Sequence, residues 1–389
     1  MLEKIRPSEL TVGKRTTVDI YTRGGRLLLS SGAMINNEQQ IEILRQRGLV
    51  KRDPNDRVDY SSEFKPFRYS SNVNPFLEIT ELEDQLGKAF KQVKSDNAGA
   101  PEVFYRLIRN ISSQLLGLAE KAPDALLGTV HWPRTEDAAP YSIYHPIQCA
   151  TLIAVVATRL KIKGEQLFSI LAAALTANLG IMAIQDRLSR QKTPLTTDQI
   201  ETLRAHPTRS VELLEGIGVK DPIWIRTVLH HHERLDGSGY PQGIKGDDIS
   251  NETKMVALAD IYVALIGRRE YRQALPVKIA LQELFAKRGA LISPALTKLF
   301  LSQIDVYPPG TAVRLKNGDT AVVTQRSEAP SQPMCAGIRA ISGQVFMHPP
   351  PRDTRLPEYE IIEVLSNEVL HSVQPFLFWG VHVRKAVEL

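Results

Sequence analysis

The spacing of apolar positions changes character three times along the chain. Between Ile5 and Val50 apolar residues come in short alternating runs, VDIYTRGG and RLLLSSGAMI, with Gly24-Gly25 between them. That pattern predicts a hairpin. The following NNEQQIEILRQRG reads as a helix that Gly48 ends. Residues 51 to 80 are polar, hold prolines and serines and keep no period, so a small strand-rich module over 1–52 and a linker over 53–80 are expected. Beyond it, Leu82, Leu86, Phe90 and Val93, then Phe104, Leu107, Ile108, Ile111, Leu115 and Leu118, recur at helical spacing. HPIQCATLIAVVATRL and QLFSILAAALTANLG are apolar nearly all round, as helices at the centre of an all-α domain are. Helical periodicity over 81–304 gives way after Tyr307-Pro308-Pro309-Gly310 to alternation around Asn317-Gly318, the sign of a hairpin opening a β-rich module over 305–389. The fold class expected is mainly α, with a small α+β module before the helical domain and a small β-rich one after it.

Composition changes this picture little. The 389 residues suffice for two or three domains, and 43% hydrophobic with 23% charged residues is ordinary globular usage. A net charge of +5 suits a phosphate-bearing ligand without requiring nucleic acid, for which no aromatic-basic platform or recognition helix stands out. Cys149 and Cys335 lie far apart with no CxxC spacing, so they read as reduced thiols. The charged N-terminus and the lack of any run near ~18 apolar residues place the expectation in the cytoplasm, with no membrane span.

Chemistry concentrates in LHHHERLDGSGYP, from Leu229 to Pro241. Imidazole nitrogens and carboxylates ligate zinc, iron and manganese, which makes His230, His231, His232, Glu233 and Asp236 metal candidates. Neighbours on a helix point about 100° apart, so not all of them converge. The bland reading of a histidine run is a solvated face or an expression tag, but this run is internal and follows the apolar Ile223, Ile225, Val228 and Leu229. Asp236, Gly237, Gly239, Tyr240 and Pro241 read as a tight loop, with glycines for positive φ and proline for the exit.

HHERLDGSGYP resembles the HHExxDGxGYP signature of HD-GYP domains. AHPTRSVELLEGIG resembles that family's helix with a His-Pro pair, KMVALADIYVALIGRREYRQAL its helix with a Val-Ala-Asp element, and DALLGTVHWPRTEDAAPYSIYHPIQCATLIAVVATRL its opening helices. The resemblance covers about residues 124 to 304 and implies an all-α HD-superfamily fold. It further implies two or three iron, manganese or similar ions and hydrolysis of cyclic di-GMP to pGpG or GMP. His145, His206, His231, His232 and Asp260 match the family's metal ligands, and His230 is an additional neighbour. The loop Asp236–Pro241 matches the part of the family associated with GGDEF-type partners.

The name-giving His-Asp motif falls on Ala177-Asn178-Leu179-Gly180-Ile181, so His has become Ala, Asp has become Asn, and Lys has become Ile. A two-metal hydrolase needs an anionic bridge between its cations, and the neutral amide of Asn178 does not carry that charge. Val263 stands where the family usually continues with a second Asp. The resemblance with these losses implies a bacterial signalling protein that binds a partner protein or cyclic di-GMP without hydrolysing it. The competing reading is a weak metal-dependent phosphodiesterase with rearranged ligands. His206, His231 and His232 could hold one divalent ion, iron, manganese or zinc, or could simply be satisfied by hydrogen bonds and hold none. Asp260 is a ligand or the carboxylate partner of a histidine. Arg268, Arg269 and Arg272 are candidate phosphate contacts, against the commoner fate of a solvated helix end. His131, His348, His371 and His382 have no ligand spacing and read as structural or surface residues. A homodimer stays open.

Overall fold

The structure, a computed structural model, describes residues 2–4, 10, 12–16, 19–22, 27–30, 32–47, 49–51, 64–69, 73–95, 97–134, 138–160, 162–267, 275–287, 289, 292–329, 331–371 and 373–379. The chain separates into two compact units, Met1–Glu63 and Phe64–Leu389.

In the first unit, strands β1 (Leu2–Lys4), β2 (Ile20–Tyr21), β3 (Leu27–Leu29) and β4 (Leu49–Lys51) form an antiparallel sheet in the order β1-β4-β2-β3. Helix α1 (Glu38–Arg47) lies where the sequence predicts it. Leu10, Ile20, Ile35, Ile41 and Leu44 bury together. Strands β2 and β3 pair as the alternation predicts; the Gly24-Gly25 turn and Gly48 lie outside the described residues.

The second unit is built on helices α2 (Pro75–Gln92), α3 (Ala100–Lys121), α4 (Pro123–His131), α5 (Tyr141–Leu160), α6 (Gly164–Thr176), α7 (Met182–Arg190), α8 (Thr197–Gly216), α9 (Pro222–His230), α10 (Asn251–Ile266), α11 (Val277–Ala286) and α12 (Pro294–Ile304). The mainly α expectation holds. Helices α5 and α6 stand at the centre, packed on each other and on α3, α9 and α10, because they are apolar on every face. The stretch Gly164–Arg190 is long and apolar enough to cross a membrane by length and composition, contrary to the expectation that no run approaches that length. The reason is its place in the core, since 72% of its most apolar window is buried within the protein.

Part of the expected linker is packed structure. The Phe64 N–H donates to Glu165 Oε1 at 2.9 Å, its ring sits 5.4 Å from that of Phe168, and the Phe67 N–H donates to the Ser113 carbonyl at 2.9 Å. Asn74 then caps α2 by accepting from the Phe76 N–H at 3.0 Å. Polar composition marks the segment as a linker, but Phe64, Phe67 and Phe76 anchor it.

After α12, strands β5 (Ala312–Leu315), β6 (Thr320–Gln325), β7 (Met334–Arg339), β8 (Pro351–Asp353) and β9 (Ile361–Val364) form an antiparallel sheet in the order β8-β7-β6-β5-β9. The β5–β6 hairpin turns at Asn317-Gly318 as predicted, with Gly318 at φ +88°. The sheet belongs to the same compact unit as the helices. Arg326 pairs with Asp124 of α4, Asn367 Nδ2 donates to the His131 carbonyl at 2.6 Å, and Trp379 lies against Gly128 and Phe76. His131 is buried at this junction, one ring nitrogen within 3.0 Å of the Leu127 and Pro309 carbonyls and the other 2.8 Å from the Tyr262 hydroxyl.

Candidate metal centre

Two features of the chain aim His206 and His231 at one point. Pro207 lies inside α8 and has no N–H, so the Leu203 carbonyl four residues earlier has no helical donor. The Nδ1–H of His206 donates to that carbonyl instead, at 2.5 Å. Helix α9 ends at His230, leaving the Val228 carbonyl among the last-turn acceptors without a helical partner, and the Nδ1–H of His231 takes it at 2.7 Å. With both rings held as Nδ1–H tautomers, their Nε2 lone pairs face each other 3.2 Å apart.

Two lone pairs at that separation repel unless a cation lies between them. A proton is disfavoured, because burial and then the neighbouring His231 push His206 down to about 3, and burial also lowers His231. A divalent ion fits, since two imidazoles on one tetrahedral centre present nitrogens ~3.3 Å apart. His232 completes the group, with the ligand atoms of His206, His231 and His232 all within 4.8 Å of one another. Burial and the charge of His231 hold His232 well below its ordinary value too. The donor set therefore fits a metal better than a purely hydrogen-bonded trio.

Asp260 on α10 lies with His145 of α5, whose Nε2 is 2.8 Å from Oδ1. Burial opposes ionisation of Asp260, but the His145 N–H and the surrounding imidazoles outweigh it and hold the carboxyl below its usual range. Its charge also raises His206, His231 and His232 against their burial, so both clusters feel one field. The lowered His206, His231 and His232 and the ionised Asp260 carboxylate suit a dication.

The glycine loop forms one wall. Tyr240 stacks on His232 with ring centroids 4.8 Å apart. A Cβ on Gly239 would sit 2.4 Å from the Glu233 Cα, and Gly237 has φ +82°, so both glycines are demanded by geometry. Asp236 accepts from the Ser238 N–H and hydroxyl at 2.9 and 2.6 Å and shapes the turn. Pro241 follows a cis peptide bond. The buried Glu233 accepts from the Gln242 and Gly243 N–H groups at 2.7 and 3.1 Å, which assigns it to the loop, and His230 meets Gln242 Oε1 at 3.0 Å. Among the His-run candidates, His231 and His232 converge with His206; His230, Glu233 and Asp236 do not join them.

Ala177 ends α6 and begins the turn that includes Asn178 and the short 3₁₀ segment Leu179–Ile181. Ser210 ties this turn to α8, its hydroxyl donating to the Ala177 carbonyl at 2.8 Å and accepting from the Gly180 N–H at 2.8 Å. A Cβ on Gly180 would come 2.6 Å from the His206 carbonyl, so the turn lies directly on the helix that carries His206. Ala177 and Ile181 are buried. Arg268, Arg269 and Arg272 lie outside the described residues. Cys149, a reduced thiol by its sequence spacing, stands 3.6 Å from His145 Nε2, and its i, i+4 spacing from His145 is the signal the sequence carries for that contact.

The buried histidines predict an acid-sensitive fold. His131 is lowered to about 4 and His206 to about 3, against 6.5 for an exposed imidazole, with burial the leading cause for both. Above pH 6.5 both rings are neutral folded or unfolded and contribute nothing to the pH dependence. Below it the unfolded chain takes protons that the folded chain refuses, so stability falls as pH drops, by about 2 kcal/mol per histidine between pH 6.5 and 5. Urea midpoints of chelator-treated protein should be level from pH 8 to 7 and decline steadily from 6.5 to 5; a level profile throughout would contradict this burial.

This helical unit holds two groups of side chains that could hold a metal ion, His206 with His231 and His232, and His145 with Cys149 and Asp260, as an HD-type helical domain does. A family profile described as an HD domain matches residues 102–296, half of the chain, and the chain belongs to that family. It is 28% identical over 220 residues to the Cyclic di-GMP phosphodiesterase PA4108 of Pseudomonas aeruginosa, covering 57% of this chain and 51% of that protein. It is 37% identical over 141 residues to the Cyclic di-GMP phosphodiesterase response regulator RpfG of Xanthomonas campestris, covering 36% and 37%. The chain thus spans about half the length of the first relative and little more than a third of the second. Among solved structures it aligns with Bd1817, a HDG"Y"P protein from Bdellovibrio bacteriovorus, at a TM-score of 0.49 and 14% identity, over 77% of this chain and 97% of that one.

Proposed function

We propose that this chain is a cation-binding, non-hydrolytic protein of cyclic di-GMP signalling that acts by engaging a GGDEF-type partner or the dinucleotide itself, in the cytoplasm. The observation that carries the reading is the turn Ala177–Ile181, which is docked by Ser210 on the ligand-bearing helix and contains no ionisable side chain. Hydrolysis between two cations needs an anion bridging them. Asp260 is the sole carboxylate in the ligand groups formed by the described residues, and it is engaged by His145.

His206, His231, His232, His145 and Asp260 are the residues that would hold an ion, of iron, manganese or zinc. When bound, it supplies Lewis-acid attraction for a phosphoryl oxygen. The chain's own residues do the rest. The Leu203 and Val228 carbonyls fix two imidazoles, Tyr240 walls the pocket beside His232, and the exposed Asp236 and Ser238 offer a rigid turn to a partner. The convergence of the ligand residues also supports a second reading, a weak phosphodiesterase with rearranged ligands.

Turnover of cyclic di-GMP with manganese or ferrous iron separates the two. The native chain should bind metal and show no turnover above a metal-only blank, while Ala177→His with Asn178→Asp should bind more metal than the native chain and show measurable hydrolysis. Native turnover that His231→Ala abolishes would establish the enzyme reading instead.

A further inference from the structure

We infer that His145, Cys149 and Asp260 form a second, thiolate-bearing cation site that favours zinc or cobalt(II) over magnesium or manganese. The inference rests on the reading of this pocket as cation-binding, and it concerns a ligand that reading does not use. Two of the three side chains lie one turn apart on α5, and the third faces them from α10, which packs on α5. Their ligand atoms all lie within 4.8 Å of one another. The separation of 3.6 Å between Cys149 Sγ and His145 Nε2 matches the ~3.5 Å between a thiolate and an imidazole on one tetrahedral zinc. His145 and Cys149 are almost wholly buried, whereas the Asp260 side chain is 16% exposed and marks the side from which a cation enters.

The neighbouring groups suit this role. The Tyr141 hydroxyl lies 3.0 Å from His145 Nδ1. While the His145 Nε2–H donates to Asp260, that hydroxyl donates to Nδ1; when Nε2 turns its lone pair to a cation, Nδ1–H donates to the same hydroxyl. The tautomer change therefore leaves no ring nitrogen without a partner. Binding releases the Cys149 proton to solvent, and thiolate plus carboxylate then supply two negative charges against a dication. Cys149 supplies this group with an anion on a soft sulfur, which shifts preference from oxygen-seeking ions toward zinc and cobalt.

The test titrates cobalt(II) into the full chain after chelator treatment. A thiolate-to-cobalt charge-transfer band in the ultraviolet is expected, unchanged in Cys335→Ser and lost in both Cys149→Ser and Cys149→Ala with one bound equivalent fewer. Zinc affinity at this site should fall at least about tenfold in those variants. Should both variants fail to fold by circular dichroism, X-ray absorption of the zinc-loaded native chain decides, a zinc–sulfur shell at about 2.3 Å being the supporting result. Cobalt bound without the band, or a band that survives loss of Cys149, overturns the thiolate site and leaves the imidazole trio standing. No cobalt bound by the native chain overturns the cation reading itself.

Discussion

His231→Ala should lose divalent-ion binding at the imidazole trio by at least about a hundredfold, because even the loss of a partner that merely orients a ligand costs ten- to a hundredfold. The substitution removes one of two lone pairs held 3.2 Å apart and leaves His206 Nε2 with only His232 from the trio. His230→Ala, one residue away, should change affinity less than threefold, since its ring meets Gln242 Oε1 and is absent from the converging group. Competition with a chromogenic chelator measures both. Equal losses in the two variants would mean that the histidine run binds as a loose polar patch and not through aimed lone pairs.

Trp224→Ala should destabilise the protein by about 3 to 5 kcal/mol, the range for emptying a large aromatic from a packed core. Trp224 is fully buried in α9, between Phe104 of α3 and Phe168 of α6, with ring centroids 6.3 and 5.8 Å away. Its indole N–H donates to the Thr176 hydroxyl at 2.7 Å, one residue before the Ala177 turn. The indole thus joins the helix that leads into His231 to the helix that leads into Ala177-Asn178. Trp224→Phe keeps most of the volume and should lose only about 1 to 2 kcal/mol, mainly the hydrogen bond. Urea unfolding followed by far-ultraviolet circular dichroism reads both, and a loss below 1 kcal/mol for the alanine variant would show that the α6–α9 contact is not a pillar of the core.

Local features were the most legible part of this protein. The Asn317-Gly318 hairpin, the helix ahead of Gly48 and the loop from Asp236 to Pro241 each depend on a few neighbouring residues whose backbone preferences are strong. Domain limits were less so. Residues 64–80 look like a linker because polarity was averaged over the stretch, yet Phe64 and Phe67 attach it to distant helices. The β-rich tail is likewise held to α4 by Arg326, Asn367 and Trp379, contacts that span more than fifty residues and leave no periodic trace.

The sequence by itself determined which chemistry is present: the imidazoles His145, His206, His231 and His232, the carboxylate Asp260, and the neutral Ala177-Asn178 where an ionisable pair is expected. Residue identity is a covalent fact, and the neutrality of Ala177-Asn178 needs no fold to be seen. Only the tertiary structure decided which members of that set meet. Three adjacent histidines are equivalent on paper, but the end of α9 and the carbonyl that Pro207 leaves free turn His231 and His206 toward each other, while His230 goes to Gln242. Cys149 enters the pocket for the same reason: α5 and α10 pack so that its sulfur, the His145 ring and Asp260 converge, and convergence is a property of helices in contact.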